Sequence, residues 1–270
     1  MPTKERPLSC LRCDWRHGRA ADSKYMRHVV DFSTEVRFPF AGMMRHSVGG
    51  NMDLTNTTDC RFCSYFGSES TDPVDAPWFR DDDYCAMVSK GALVPGWSLI
   101  CPAKHGLSLA NDYRLQEFWK FSSKAEAIIR ARYGEVRLFE HGASFAGSLT
   151  GCGTDHAHLH LVPLAFGLST EALRYDASQE WSPCLASDIA ERTSGREYLF
   201  VSDRFEGTET AGLLCLPKTP ISQFFRRVVA SRLGLKEFYD YRRHPMLDIA
   251  SSSASHLRSD VRAEARIGAR

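Results

Sequence analysis

Short apolar runs separated by turn residues mark the middle of the chain. Residues 84 to 88 and 97 to 101 are two such runs, and Pro95-Gly96 between them has the composition of a turn. We predict two strands joined by this turn. A further strand is predicted over residues 136 to 140.

Helical periodicity appears in two places. Asn111 can cap a first helix, and Gly134 can end it. Its apolar positions fall on one face: Leu115, Phe118, Trp119, Ala125, Ile128 and Ile129. Residues 222 to 233 form the second amphipathic pattern, with Gly234 behind it.

The most regular alternation lies at residues 156 to 162. Three histidines occupy one side and three apolar residues the other: His156, His158 and His160 alternate with Ala157, Leu159 and Leu161. A period of two predicts a half-buried strand, which Pro163 ends. Later strands are predicted over residues 196 to 202 and 212 to 216. Strands outnumber helices, and short turns join several of them. The pattern therefore predicts an α+β fold with helices packed on an antiparallel sheet.

Composition sets limits on this fold. The 270 residues are 43% hydrophobic, enough for a sizeable core, and 34 Lys and Arg nearly balance 33 Asp and Glu. The balance disfavours nucleic acid as a partner. No apolar stretch approaches the roughly 20 residues of a membrane span, and no secretory signal is visible. Nine cysteines, an odd number, favour thiols and metal ligation over disulfides. We expect a cytoplasmic protein that does not bind membranes.

The two ends differ from the middle. Residues 1 to 20 are polar and basic and are predicted to be a loosely ordered leader. Residues 251 to 270 are rich in Ser, Ala and Arg with few large apolar groups. We predict a disordered tail there.

The histidine row is difficult to explain as core packing. Successive histidines on one face of a strand have Cα atoms about 7 Å apart, and each buried imidazole needs hydrogen-bond partners. A lone histidine there would most often be structural. Three in alternation favour two functions, which the row alone does not separate. Such imidazoles can bind a metal, or they can act as nucleophile and proton relay in phosphoryl chemistry.

His156-Ala157-His158-Leu159-His160-Leu161-Val162 resembles the signature of the histidine-triad superfamily. Residues 78 to 105, with Asp81-Asp82-Asp83, Leu93-Val94-Pro95-Gly96 and Pro102-Ala103-Lys104-His105, resemble the first half of its domain. Phe139-Glu140-His141-Gly142 and Gly151-Cys152-Gly153 are similar to the galactose-1-phosphate uridylyltransferase branch. The resemblance covers roughly residues 55 to 165. It implies a triad-like catalytic domain over 21–170, an α/β extension packed on it over 171–250, and a homodimer.

The resemblance also implies roles for the three histidines. His158 would be the nucleophile that takes the nucleotidyl group, and His160 would hydrogen-bond a phosphate oxygen or the leaving group. The main-chain carbonyl of His156 would orient His158. Substrate-binding residues would be Gly151, Cys152, Gly153 and His141, with backbone N–H groups near Gly151 and Gly153 stabilising negative charge.

Three positions depart from the patterns of this superfamily. Cys152 occupies the position of a glutamine in the hydrolases. His160 and His141 occupy the positions of a glutamine and an asparagine in the uridylyltransferases. Neither branch therefore identifies the substrate.

Cys60-Arg61-Phe62-Cys63 is a Cys-x2-Cys pair, a spacing found in metal sites and in redox motifs. In zinc-bearing relatives such a pair acts with a later histidine and the first triad histidine, which here implies Cys60, Cys63, His105 and His156. Two thiolates and two imidazoles would make a closed structural zinc site.

A second pair, Cys10 and Cys13, has His17 and His28 nearby; it is a second zinc knuckle or a pair of exposed thiols. Four other cysteines lie in apolar sequence and are predicted to be buried: Cys85, Cys101, Cys184 and Cys215.

The second half has no motif of comparable strength. Ser222–Arg227 opens a helix with basic residues, and Tyr241-Arg242-Arg243-His244 follows. These residues either hold phosphate or form an ordinary solvated basic face.

The sequence thus favours a nucleotide hydrolase that forms a covalent nucleotidyl-His158 intermediate. One alternative is a nucleotidyltransferase or phosphorylase that passes the nucleotide to phosphate or a sugar phosphate. Others are a non-catalytic nucleotide-binding zinc scaffold and a metallohydrolase with the histidine row as its metal site.

Overall fold

Eight strands form one antiparallel sheet in the computed structural model, which describes residues 60–67, 72 and 74–268. The leader and the pair Cys10 and Cys13 lie outside the described residues. The strands are β1 (Phe79–Arg80), β2 (Tyr84–Val88), β3 (Ser98–Pro102), β4 (Val136–Gly142), β5 (Leu159–Pro163), β6 (Trp181–Leu185), β7 (Tyr198–Ser202) and β8 (Ala211–Cys215). Their order is β1-β2-β3-β5-β4-β7-β8-β6.

Six α-helices accompany the sheet within the described residues. They are α1 (Arg61–Gly67), α2 (Gln116–Tyr133), α3 (Leu168–Tyr175), α4 (Ile189–Thr193), α5 (Phe224–Leu233) and α6 (Leu247–Gly268). Short 3₁₀ helices occupy Asp112–Arg114, Ala186–Asp188, Gly207–Glu209 and Lys236–Phe238. The predicted α+β class, an antiparallel sheet with packed helices, is confirmed.

Alternation along the strands divides the buried side chains between two faces. On one face, Ile100, Leu138 and Leu161 pack in one core with residues of α2, α4 and α6. On the other, Phe139 and Val162 pack with α3 and α5, while Leu99 and Met87 pack with α1. This second face therefore has cover at both ends, from α1 and from α5.

Strand β5 lies inside the sheet, between β3 and β4. His160 is in register with Leu99 on β3 and with Phe139 on β4. The predicted strand over 156–162 was placed too early, because β5 begins only at Leu159. Before it, the Ala157 N–H donates to the Gly106 carbonyl at 2.6 Å instead of to a strand neighbour.

Other predicted elements need small corrections. Helix α2 begins at Gln116, and Asn111 precedes a 3₁₀ turn without a side-chain cap. Leu115, expected on the apolar face, is 46% exposed. Gly134 ends α2 with a φ of 90°, as its position predicted.

The end of the chain differs most from expectation. Residues 251–268 belong to α6, where composition predicted disorder. Ala250, Ala254 and Leu257, spaced by four and three positions, are fully buried against the sheet. Small side chains at helical spacing thus provide a packing face of low hydrophobicity. No helix among the described residues has the length and apolar character needed to cross a bilayer.

Candidate functional site

A cavity of about 830 Å³ lies above β5. Phe62, Met87 and Leu99 line it on the side of α1, and His141 and Arg226 on the side of α5. His158 and His160 both line it, as do His105, Cys152, Gly153 and Tyr241. The two helices that cover the ends of this sheet face therefore leave the histidine row accessible between them.

His158 has a defined tautomer. Its Nδ1 lies 2.9 Å from the His156 carbonyl oxygen, which can only accept, so Nδ1 carries the proton. Nε2 then keeps its lone pair, and it makes no hydrogen bond within the described residues. The Phe62 ring stacks on His158 with centroids 5.8 Å apart and planes at 13°. Burial lowers the pKa of His158, and its bond to the carbonyl offsets this in part. The result is a neutral, oriented imidazole, the form in which histidine can act as a nucleophile.

His160 has the opposite arrangement. The Trp97 indole N–H lies 3.0 Å from its Nδ1, and because an indole nitrogen can only donate, Nδ1 accepts. The proton of the neutral ring is therefore on Nε2. Phe139 stacks on the ring at 4.1 Å, and burial holds the pKa of His160 well below its ordinary value. His160 can thus donate a hydrogen bond to an oxyanion in the cavity.

His141 enters from the neighbouring strand β4. Its Nε2 accepts the backbone N–H of Phe225 at 3.3 Å, and its ring meets that of His160 edge to face at 6.0 Å. Burial, with the charges of His158 and Arg226, lowers the pKa of His141 to about 3. This histidine links strand β4 to helix α5.

The Gly-Cys-Gly turn contributes fewer residues and N–H donors to the cavity than the sequence predicted. Cys152 and Gly153 line the cavity with φ values of 61° and 63°, but Gly151 does not line it. The N–H of Gly151 donates to Ser148 Oγ and that of Gly153 to the Ser148 carbonyl. Both donors are therefore used inside the turn in this conformation. That they stabilise charge on a substrate stays a prediction.

A second polar cluster lies at the start of α1. Its members are Cys60, Cys63, His105 and His156, whose ligand atoms all lie within 4.8 Å of one another. His156 Nδ1 is 3.4 Å from Cys60 Sγ and 3.6 Å from Cys63 Sγ. His105 Nδ1 is 3.3 Å from Cys63 Sγ.

The chemistry of this cluster fits a metal ion. His156 Nε2 donates to the Pro102 carbonyl at 2.8 Å, so the lone pair of Nδ1 faces the two sulfurs. Thiolate and imidazole ligands in a set of four are typical of tetrahedral sites. The cluster could therefore hold a metal ion. Cys85, Cys101, Cys184 and Cys215 are buried elsewhere in the sheet, as predicted.

Three residues of the candidate site were missed in the sequence. Trp97 was assigned only to a strand, although the N–H of a buried indole usually finds a hydrogen-bond partner. Phe62 lies between the two cysteines of the pair and contacts both His156 and His158. Arg226 was treated as one of several basic residues, yet it is 3% exposed and lines the cavity.

No protein-family model matches this chain, and neither does any curated protein sequence. Among solved structures, the chain is similar to a hypothetical histidine triad nucleotide-binding protein from Sulfolobus tokodaii. The two are 23% identical, the match covers 38% of this chain and 68% of that one, and the TM-score is 0.32. A match of this extent does not establish the family or the activity of this chain.

Proposed function

We propose that this chain is an enzyme of the histidine-triad type that cleaves a bond at the α-phosphate of a nucleotide. The observation that carries the proposal is the bond from His158 Nδ1 to the His156 carbonyl. It leaves a neutral imidazole with an unprotonated Nε2 on the wall of a cavity large enough for a nucleotide.

In the first step, the Nε2 lone pair forms a bond to the α-phosphorus. The bond from phosphorus to the leaving group breaks, and the leaving group departs with its electron pair. Positive charge then develops on the imidazole ring, and the His156 carbonyl stabilises it through Nδ1–H. His160 donates Nε2–H to a phosphate oxygen or to the leaving group.

In the second step, an acceptor replaces His158 on phosphorus. When the acceptor is water, it loses a proton to solvent, the phosphorus–nitrogen bond breaks, and its electrons return to Nε2. The products are a nucleoside monophosphate and the original neutral His158. Hydrolysis of a phosphoanhydride, phosphoramidate or phosphosulfate bond follows the same sequence.

A transferase or phosphorylase is the second candidate. Three residues of the features similar to the uridylyltransferase branch line the same cavity as His158: His141, Cys152 and Gly153. His160 in place of that branch's glutamine disfavours it. Products formed with and without phosphate or sugar phosphates separate the two candidates, because only a transferase yields a new nucleotide ester or anhydride.

For the Cys60, Cys63, His105 and His156 cluster we propose a structural zinc ion. Four protein ligands leave no position for water or substrate, so zinc here would fix the start of α1 to the segment before β5. The His156 side chain would then bind the zinc ion and could not act as an acid or base. Its main-chain carbonyl would orient His158.

Residues 171–250 are proposed to cover the nucleotide, since α5 supplies one wall of the cavity. Homodimerisation remains a prediction from the resemblance, and light scattering tests it.

Covalent labelling is the experiment that tests the activity. Wild type and His158→Ala are incubated with nucleotides labelled at the α-phosphate: dinucleoside polyphosphates, nucleoside phosphoramidates and nucleotide sugars. We expect an acid-labile, alkali-stable label on the wild type alone, and the best donor would define the substrate class. Binding without label or turnover for any donor would contradict the proposal and favour the scaffold. Activity lost on chelation and restored by metal, without label, would favour the metallohydrolase.

A further inference from the structure

Arg226 is a buried cation in the wall of the cavity. It lies on α5 and is 3% exposed, although long charged side chains are almost never buried to this extent without a partner of opposite charge. Burial lowers its pKa to about 10, which still leaves it charged at neutral pH.

Its partners hold the guanidinium without neutralising it. Nε donates to the Tyr239 carbonyl at 2.9 Å, and Nη2 donates to the Gly91 carbonyl. The group also packs over the Trp97 ring at 4.9 Å and the Tyr241 ring at 5.8 Å. Among the described residues, no carboxylate forms an ion pair with Arg226 and Nη1 has no hydrogen-bond partner. A buried charge of this kind is costly until an anion joins it.

The other two cations on the cavity wall, Arg61 and Lys90, are different, because both pair with Asp75. Lys90 pairs with Asp75 at 2.9 Å, and Asp72 lies 4.0 Å away. Its charge is thus balanced within the protein. Arg226 is therefore the residue whose charge is left for a ligand.

Arg226 is also close to the reacting histidines. It packs against the same Trp97 indole whose N–H donates to His160, so one side chain separates the guanidinium from His160. Its charge contributes to lowering the pKa of both His141 and His160. An anion bound by Arg226 would thus lie beside the phosphate held by His158 and His160.

We infer that Arg226 binds a second phosphate group, next to the phosphate that His158 attacks. The planar guanidinium, with a free Nη1, suits a phosphate better than a neutral sugar or base. The second phosphate belongs to the donor, as in a nucleoside diphosphate or a longer chain, or it is free orthophosphate acting as acceptor. This inference rests on the proposed function for the identity of the first phosphate.

Binding without turnover tests the inference. The full-length protein is titrated by calorimetry with nucleoside monophosphates and with α,β-methylene nucleoside diphosphates of all four common bases. A charge-assisted contact to the second phosphate predicts that wild type prefers the diphosphate analogue by about 10-fold or more. Arg226→Gln should reduce that ratio to about 2-fold, and Arg226→Lys should retain part of it.

Arg232→Gln is the matched control, because Arg232 lies on the same helix but pairs with Glu171 away from the cavity. It should keep the wild-type ratio. The ratio compares two ligands on one protein sample, so a partly unfolded Arg226 variant still gives a valid answer.

A second titration distinguishes the source of the phosphate. Orthophosphate is added to wild type and Arg226→Gln, each saturated with a nucleoside monophosphate. Orthophosphate binding that requires Arg226 identifies an acceptor site, whereas a diphosphate preference that requires Arg226 identifies a second donor phosphate. If neither depends on Arg226, the inference is wrong.

The two proposals can fail separately. His158→Ala should keep the Arg226-dependent ratio, because binding needs no nucleophile. Arg226-dependent binding without covalent label would overturn the catalytic proposal alone. Label on His158 without Arg226-dependent binding would overturn this inference alone.

Discussion

His156 and His160, at the two ends of the histidine row, are the same residue type used in opposite ways. Both rings carry the proton on Nε2. At His156 the protein binds that N–H through the Pro102 carbonyl and leaves the Nδ1 lone pair to the cysteines. At His160 it binds the Nδ1 lone pair through Trp97 and leaves the N–H to the cavity.

What each histidine can do is set by the neighbour that occupies its other nitrogen. A carbonyl neighbour produces an electron-pair donor, suited to a metal or to nucleophilic attack. An indole N–H produces a proton donor, suited to a phosphate oxygen. His158, whose Nδ1–H is bound by a carbonyl, falls in the first class.

Removing the proposed nucleophile should cost the most activity. His158→Ala should lower kcat/KM on the order of 10⁴-fold or more, because the lone pair that is proposed to attack phosphorus is lost. His160→Ala should cost about 10²-fold, since it removes one oxyanion donor. Steady-state kinetics with the best donor measures both. His256→Ala on α6 is the control. Equal losses for His158→Ala and His160→Ala would contradict the proposal that one is the nucleophile and the other a hydrogen-bond donor.

Loss of a ligand from the proposed zinc site, at the His156 end of the histidine row, should lower the stability of the fold. Cys63→Ser removes one ligand from the proposed zinc site, and loss of a tightly bound ion should lower the free energy of unfolding by about 4 kcal/mol or more. Metal content by mass spectrometry and thermal unfolding with and without chelator measure this. Cys184→Ser is the matched control and should keep the metal. Unchanged metal content in Cys63→Ser would contradict the assignment.

Acid should lower the free energy of unfolding through His141, which lines the cavity. The pKa of His141 is about 3 in the folded state and about 6.5 when unfolded. Because the unfolded chain binds the proton more readily, the neutral ring stabilises the fold above pH 6.5, and this contribution is lost as pH falls towards 3. About 2 kcal/mol should be lost by pH 5. Urea unfolding between pH 5 and 8 measures the slope, which His141→Gln should reduce; an identical slope in both proteins would refute the prediction.

A smaller loss of activity is expected when the indole N–H that donates to His160 is removed. Trp97→Phe keeps an aromatic ring but removes the N–H that donates to Nδ1. We expect kcat to fall by about 10-fold, and the acidic limb of its pH profile to move to higher pH, because Nδ1 can then accept a proton. A fall in kcat without movement of the limb would point to lost packing instead. Near-ultraviolet circular dichroism checks that the core is retained.

Local sequence patterns predicted those helices and strands whose formation depends on residues close together in the chain. Strand β2, helix α2 with its Gly134 end, and the histidine alternation could be read from periodicity. The start of β5 could not, because the backbone of residue 157 bonds to Gly106, far away in sequence. Helix α6 was missed because its buried stripe is mostly alanine and serine, which composition does not separate from a disordered tail.

The candidate site likewise contains residues that motifs predicted and residues that depend on contacts between distant parts of the chain. The four metal-cluster residues and His158 were named from motifs, and the structure brings them to the same sheet face. Arg226 could not be chosen over Arg227, because the choice depends on how α5 is rotated on the sheet. Arg227 instead packs over Tyr239 at 3.9 Å. The bond from Trp97 to His160 likewise joins residues 63 positions apart.

The distance in sequence between the histidine row and α5 has a consequence for synthesis. His158 leaves the ribosome more than sixty residues before Arg226 completes the wall around it. A nascent chain therefore carries His158 before the cavity wall around it is complete. A product truncated before α5 would bear the three histidines without the wall that Arg226 supplies.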